Sequence, residues 1–298
     1  MMTDPSNSMH IISASRRTDI PAFYMPWFMR RLDAGLVSYP NPFGGQRCTV
    51  SLRPEHVHSF VFWSKNFASF LPHLDAIRDR DARFYCHYTI TGAPRFIEPH
   101  VPDWEQGVDT FRALVEKTSP RHVQWRFDPI LIAEGLTPEF YSARFRQIAQ
   151  ALSGLTERCY FSFASFYGKV ERRLTQAGIR YNDPPLAEKH ALIHTLADTA
   201  EQVGITLYAC CQDDLIGGRV KQAHCVDGDL LAELFPDRPL VSAQRPTREA
   251  CGCFASRDIG IYNTCVHGCV YCYANQSHAG AESRLDAHNV AGEMLVGT

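Results

Sequence analysis

The chain has 298 residues, 45% hydrophobic and 21% charged, a balance typical of one large globular domain or two ordinary ones. Its formal net charge of −2 supplies no overall field that would attract nucleic acid, so a nucleic-acid partner is not expected. The segment from Met1 to His10 lacks the basic start and apolar stretch of a secretion signal, and no apolar run reaches the roughly 18 residues of a membrane span. We therefore expect a cytoplasmic protein without a membrane partner.

Short β-rich runs alternate with longer amphipathic segments along the chain. Strands are predicted at His10–Ser13, Ser59–Trp63, Phe84–Ile90, His122–Phe127, Cys159–Phe163, Thr206–Cys210 and Asp258–Tyr262. Helices are predicted at Phe23–Leu32, Phe67–Arg78, Trp104–Lys117, Pro138–Leu152 and Leu186–Val203. Tyr39–Pro54 fits neither pattern and is predicted to be a hairpin, or a loop over the mouth of the barrel that these strands would form.

Strand, helix and strand in this order predict parallel βαβ units with right-handed crossovers. Seven such units predict an α/β fold, namely a parallel (β/α) barrel that is complete or partial. Periodicity alone leaves a doubly wound open sheet as the alternative. We expect residues 1–298 to form a single domain, because no linker, internal repeat or low-complexity tract divides them.

Charged side chains follow or end several of the predicted strands. Arg16, Lys65, Arg126 and Asp128 all lie at such positions. Because the carboxyl ends of parallel strands meet on one face, we predict that these four residues line a polar cup for a substrate and serve catalysis there. An arginine in such a cup would bind a carboxylate through two hydrogen bonds, and a lysine would offer a point charge. The alternative for Arg126 and Asp128 is a purely structural pair.

The cysteines are distributed unevenly. Of the eleven, eight lie between Cys210 and Cys272, whereas Cys48, Cys86 and Cys159 are scattered and read as core residues. A dense group in a chain without an export signal indicates a metal site rather than disulfides.

The densest part of this group is the segment from Tyr262 to Asn275. Cys265, Cys269 and Cys272 have the spacing CxxxCxxC, and Tyr271 directly precedes the third cysteine. The segment resembles the cluster motif of the radical S-adenosylmethionine (SAM) superfamily. That resemblance implies that the three thiolates bind a [4Fe–4S] cluster and leave its fourth iron open to SAM. It also implies that Tyr271 lies beside the adenine of SAM.

The same resemblance implies an enzyme that cleaves SAM reductively and turns the resulting 5′-deoxyadenosyl radical on an unidentified substrate. The substrate would be a small molecule or another partner of unknown kind, and the reductant would be a protein such as a flavodoxin or ferredoxin. The chain is also similar to an uncharacterised family that carries its cysteines near the C-terminus, with strings like SASRRTDIPA and WRxDPI.

The position of the motif departs from the superfamily pattern. It follows the last predicted strand instead of the first, so we expect a circularly permuted barrel in which Asp258–Tyr262 lies beside His10–Ser13. The superfamily often has a Gly-Gly-Glu type motif on the neighbouring strand to hold the SAM amino group. Here Ser15, Arg16 and Asp19 occupy that position and are the predicted SAM contacts.

The remaining cysteines predict a second metal centre. Its candidate ligands are Cys225, Cys251, Cys253 and either Cys210 or Cys211, in a second iron–sulfur cluster. Buried thiols or a zinc site are the alternatives. Segment 251–275 is thus predicted to be an iron–sulfur segment at the C-terminal end of the barrel.

Other functions stay open at this point. A non-catalytic iron–sulfur or zinc protein is one, and Cys269 and Cys272 with Cys251 and Cys253 have the ligand types of a Cys₄ zinc site. A nucleic-acid repair enzyme is another, because the YCYAN string is similar to spore photoproduct lyase, but the near-neutral charge weighs against it. Arg172–Arg173 is predicted to be solvated helix surface.

Overall fold

The computed structural model describes residues 9–238, 240, 243–248 and 250–297. The strands of these residues are β1 (His10–Ala14), β2 (Leu36–Pro40), β3 (Arg47–Ser51), β4 (Val57–Ser64), β5 (Phe84–Thr89), β6 (Val123–Ile130), β7 (Arg158–Phe163), β8 (Thr206–Ala209), β9 (Val220–Gln222) and β10 (Arg257–Asp258). The α-helices are α1 (Ile20–Phe23), α2 (Met25–Ala34), α3 (Leu74–Arg78), α4 (Trp104–Lys117), α5 (Pro138–Ala151), α6 (Gly168–Gln176), α7 (Leu186–Gln202), α8 (Gly228–Leu234) and α9 (His278–Asp286). None of the helices described is long and apolar enough to cross a membrane.

One large sheet organises the molecule. Its eight strands have the order β10-β1-β4-β5-β6-β7-β8-β9, and each neighbouring pair is parallel. From β1 to β9 the order follows the chain without reversing, as it does in a barrel. The sheet does not close, because β9 and β10 stand at its two edges. The predicted α/β fold with a parallel sheet is therefore confirmed, and a complete barrel is not what the described residues form.

The two faces of the sheet carry different side chains, since successive strand residues point to opposite sides. On one face, aromatic residues such as Phe62, Trp125 and Phe127 pack in the main core with the helices. On the other face, Val61 and Tyr85 pack in a second core that contains the cysteines after β8. We call this second side the cysteine face.

Most predicted elements are present with shifted ends. Tyr39–Pro54 contains most of the antiparallel hairpin of β2 and β3, so the hairpin prediction is confirmed. Phe67–Arg78 is helical only in part, because a 3₁₀ turn at Leu71–His73 precedes the short α3. Strand β9 and helices α6, α8 and α9 were not predicted. Each has ten or fewer residues, and β9 has only three, too few to show a period.

The predicted pairing of the C-terminal strand beside the N-terminal strand is confirmed. Ile12 and Ser13 of β1 pair in parallel with Arg257 and Asp258 of β10. The strand ends earlier than the predicted Asp258–Tyr262, because the Asp258 carboxylate accepts a hydrogen bond from the Gly260 amide at 3.0 Å and turns the chain. Glycine is required at this turn, since a Cβ on it would lie 2.0 Å from the Ser15 hydroxyl.

Candidate functional site

The junction of β1 and β10 is organised around one carboxylate. Asp258 accepts hydrogen bonds from the hydroxyls of Ser13 at 2.5 Å and Ser15 at 2.6 Å, from the Arg16 amide at 2.8 Å and from Arg17 Nε at 3.0 Å. Burial raises the pKa of the Asp258 carboxyl, but the charges of Arg17 and Arg16 outweigh it and hold that pKa below its usual value. The loop after β1 is thereby fixed against β10.

A second carboxylate joins three loops. Asp19 accepts from the Ala22 amide at 3.0 Å and from the Lys65 amide at 2.9 Å, and its Oδ2 lies 2.8 Å from His267 Nε2. Asp19 and His267 are both buried. These bonds give Asp19, like Ser15, a role in the frame of the site, and the contact of either residue with SAM stays a prediction.

The residues Cys265–Cys272 form what we call the cysteine loop, and Arg173 of α6 holds it. Arg173 donates to the carbonyls of Val270 at 3.0 Å and Asn275 at 2.9 Å, and also to that of Cys272. The prediction that Arg173 is solvated helix surface is therefore wrong, because α6 turns this side chain inward. Its neighbour Arg172 is exposed as predicted.

The far side of the cysteine loop packs on the connection between β5 and α4. The Val270 amide donates to the Ile97 carbonyl at 3.0 Å, and the His267 carbonyl accepts from the His100 amide at 3.1 Å. Gly268 has a φ of +73°, in the left-handed region that favours glycine. The loop is thus held on both sides, with Cys269 buried and with Cys265 and Cys272 half-buried.

Glu98 links the cysteine loop to β4 and was missed in the sequence. It is buried, lies 2.9 Å from Lys65 Nζ, and accepts from the hydroxyls of Thr91 at 2.8 Å and of Tyr271. Burial lowers the pKa of Lys65, but the negative charges of Glu98 and Cys269 outweigh it and raise that pKa. Lys65 Nζ also lies 5.6 Å from the centre of the Tyr271 ring. A predicted catalytic residue and a predicted cofactor-binding residue therefore share one buried carboxylate.

The second group of cysteines comes together on the cysteine face. Cys210 Sγ lies 3.4 Å from Cys225 Sγ and 4.0 Å from Cys211 Sγ. Cys253 interacts with both Cys225 and Cys251, and Cys251 interacts in turn with Cys211. The five thiols form a closed ring, which we call the thiol ring. The predicted ligands of a second centre are all in it, with both alternatives, Cys210 and Cys211, included.

Three arginines surround the thiol ring. Arg126 Nη1 lies 3.1 Å from Cys225 Sγ, and Arg248 Nη2 lies 3.9 Å from Cys210 Sγ. Burial lowers the pKa of Arg16, but the charges of Asp258 and then Cys253 outweigh it and raise that pKa, so Arg16 also acts on this group of thiols. Burial likewise lowers the pKa of Arg126, but the charges of Asp128 and Cys225 raise it well above the ordinary arginine value.

The four residues predicted to line a polar cup divide between the two cysteine groups. Lys65 lies at the cysteine loop, whereas Arg16 and Arg126 lie at the thiol ring. Asp128 stands between them: it is ion-paired with Arg126, accepts from the Ser162 hydroxyl, and its charge acts on Lys65. Arg126 and Asp128 therefore form the ion pair that was considered as the alternative. Arg126 also contacts the thiol ring through Cys225.

Among the residues that the structure describes, no three histidine, cysteine, aspartate or glutamate side chains form a group that could hold a metal ion as they stand. This applies to the Cys₄ zinc set considered above. A cubane cluster makes a different demand, because each thiolate binds a different iron, so the sulfurs stand around the cluster instead of converging on one ion.

Fold and site together define a parallel α/β protein with a clamped cysteine loop at the ends of its strands and a thiol ring on one face of its sheet. The chain belongs to the family described as domain of unknown function (DUF1848), which matches residues 11–274. The match includes every strand of the sheet in whole or in part and all eleven cysteines. No curated protein matches the chain.

Proposed function

We propose that this protein is a radical SAM enzyme that binds a [4Fe–4S] cluster through Cys265, Cys269 and Cys272. One observation carries the proposal: the three cysteines of the CxxxCxxC motif stand on one clamped loop at the carboxyl ends of parallel strands. Ligands bind at these ends in parallel α/β folds. The substrate would occupy the space between this loop and the strand ends that carry Lys65 and Asp128.

The surroundings of the loop fit an anionic cluster. The charge of Arg173 interacts with Cys272 and Cys269, and that of Lys65 interacts with Cys269. Burial raises the pKa of the Cys269 thiol, and the charge of Lys65 opposes this effect only in part. A bound metal would therefore have to displace the proton of this thiol. When bound, the cluster would supply the electron for reductive cleavage of SAM. Lys65 and Tyr271, which both contact Glu98, would orient the SAM molecule beside the cluster.

The strand order supports a circularly permuted relation to the usual radical SAM barrel. In that barrel the motif follows the first strand, and here it follows β10, which pairs beside β1. Moving β10 and its loop to the front of the chain would restore the usual order without altering any pairing of strands.

A non-catalytic iron–sulfur protein is the second candidate. Two groups of cysteines in one domain also suit a protein that passes electrons, and this function requires no space for a substrate. The two candidates differ in whether SAM is bound and cleaved.

The test is an assay of the complete chain, purified and reconstituted with iron and sulfide in the absence of oxygen. After reduction with dithionite, we expect SAM to yield 5′-deoxyadenosine. Replacing Cys265, Cys269 and Cys272 with Ala should abolish this product, and Cys48→Ala should leave it unchanged. A filled cluster at the loop without SAM binding or cleavage would favour the electron-transfer protein. Stoichiometric zinc in place of iron would contradict both candidates.

A further inference from the structure

We propose that the thiol ring is a reversible oxidation site, at which hydrogen peroxide joins Cys210 and Cys225 in a disulfide. This site is separate from the cysteine loop and does not depend on the reaction proposed for that loop. The proposal rests on three features of the described residues: the contact between two buried sulfurs, the guanidinium groups beside them, and a path from the surface to one of them.

The two sulfurs are in contact although they belong to different segments. Cys210 follows β8 and Cys225 follows β9, the parallel strand next to it. Cys210 Sγ lies 3.4 Å from Cys225 Sγ, and both are free, buried cysteines. The Ala223 amide donates to the Ala209 carbonyl at 2.9 Å, so the two backbones are joined beside the pair. A disulfide between these residues would bridge segments that the fold already holds together.

Cys211 is a worse partner for Cys210. Its Sγ lies 4.0 Å from Cys210 Sγ, farther than that of Cys225. Consecutive residues have Cα atoms about 3.8 Å apart, whereas the Cα atoms of a disulfide usually lie about 4.4–6.8 Å apart. The backbone between Cys210 and Cys211 would therefore have to distort before these two sulfurs could bond.

A guanidinium group stands beside each sulfur of the pair. Arg126 Nη1 lies 3.1 Å from Cys225 Sγ, and Arg248 Nη2 lies 3.9 Å from Cys210 Sγ. The hydrogen bond with Cys211 lowers the pKa of Cys210, but the hydrogen bond with Cys225 and burial raise it above the ordinary thiol value. The pair is thus held as thiols until an oxidant arrives. The two cations then stabilise each thiolate as its proton leaves.

The surface path leads to Cys210. This residue is 7% exposed and lies against the half-buried Cys211 and the exposed Arg248. Hydrogen peroxide is small enough to reach a sulfur of this exposure, whereas a protein disulfide is not. Cys210 is therefore the sulfur that meets the oxidant, and Cys225 is the one that resolves the product.

The reaction needs only the two thiols and one peroxide. The Cys210 sulfur attacks a peroxide oxygen, the O–O bond breaks, and the departing hydroxide takes the thiol proton to become water, which leaves a sulfenic acid. The Cys225 sulfur then attacks the sulfenic sulfur. The S–S bond forms, the S–O bond breaks, and a second water leaves with the Cys225 proton. Two electrons pass from the thiols to the peroxide, and an added dithiol reverses the change by exchange.

The experiment uses the complete chain with the three motif cysteines of the cysteine loop replaced by Ala, so that no cluster there consumes the oxidant. One equivalent of hydrogen peroxide is added, free thiols are alkylated, and unreduced tryptic peptides are identified by mass spectrometry. Cleavage at Arg219 and Lys221 places Cys210 and Cys225 in different peptides. We expect these peptides to be linked, and dithiothreitol should separate them.

Single variants in the same background test the assignment. Cys210→Ser and Cys225→Ser should each abolish the link, and Cys211→Ser, the matched control, should keep it. In Cys225→Ser the sulfenic acid at Cys210 should persist and be trapped by dimedone. Circular dichroism melting verifies that each variant is folded.

Each outcome decides the proposal. A link that involves the peptide of Cys251 and Cys253, or one that is lost in Cys211→Ser, overturns the assigned pair. Sulfinic acids or unreacted thiols in place of the link overturn the disulfide. Failure of SAM cleavage in the unaltered protein, with the link formed in the motif variant, would refute the proposed reaction and leave this site in place.

Discussion

The cysteine loop and the thiol ring each bring several thiols together, but different contacts hold the thiols in place. The loop takes its three thiols from eight consecutive residues, and its order depends on Arg173, which binds backbone carbonyls from outside. The ring takes its thiols from three segments, and its arginines lie against the sulfurs themselves. A local site needs its backbone held, whereas a non-local site needs its segments brought together and its charge balanced.

The largest expected effect comes from removing the clamp on the loop alone. Arg173→Ala takes away three hydrogen bonds from a charged donor, each worth about 1.5–3 kcal/mol. We expect most of the iron proposed for the cysteine loop to be lost. Iron analysis by variant tests this, with Arg172→Ala, an exposed neighbour, as the control. Equal loss of iron in both variants would mean that Arg173 has no special role.

Glu98 ties the cysteine loop to the sheet. Removing one partner of a buried ion pair leaves the other charge uncompensated and costs about 3–5 kcal/mol. We expect Glu98→Ala to lower the free energy of unfolding by this amount in urea titrations. The double variant Lys65→Met with Glu98→Leu should lose less, since no unpaired charge is left. The control Glu116→Ala, on the exposed side of α4, should change stability by less than about 0.5 kcal/mol.

Gly252→Ala is the counterpart of the clamp variant and acts on the ring. Its methyl group would meet the His224 ring at 2.9 Å, and overpacking of this kind costs about 1–3 kcal/mol. The free energy of unfolding in urea should fall by about this amount, while the iron proposed for the loop stays. Gly44→Ala, where the added atom meets nothing within 4 Å, provides the control. An unchanged free energy of unfolding in Gly252→Ala would show that the segments of Gly252 and His224 need not approach so closely.

The smallest effect is expected at the turn inside the loop. Gly268→Ala forces a side chain into the left-handed region, which costs about 1–2 kcal/mol, and its Cβ would lie 3.1 Å from the His100 ring. Gly45→Ala has a similar φ of +68° and open space around it, so it isolates the cost of the backbone. The melting temperature should fall further in Gly268→Ala than in Gly45→Ala, because only the first variant also contacts His100. Identical shifts would indicate that His100 simply moves aside.

The features predicted best from the sequence are those contained in one short segment of the chain. Helices α4, α5 and α7 could be predicted from their periodic apolar residues, and the cysteine motif from its CxxxCxxC spacing. Glu98 could not be predicted, since it lies in an irregular loop and acquires partners only when β4 and the cysteine loop fold beside it. Arg173 was misjudged for the same reason, because an amphipathic pattern does not reveal which loop lies over a helix. The number and spacing of the cysteines predicted a second metal centre, of which the structure shows only that its candidate ligands meet. The arginines beside them depend on the register of the strands.

The late position of β10 in the chain has a consequence for biosynthesis. The ribosome releases β1 first, and β1 keeps an unpaired edge until Arg257 and Asp258 have been made. Exposed strand edges invite pairing with other chains. Cys210, Cys211 and Cys225 also emerge before Cys251 and Cys253 can meet them. A chain interrupted before residue 257 would therefore have an open sheet edge beside β1.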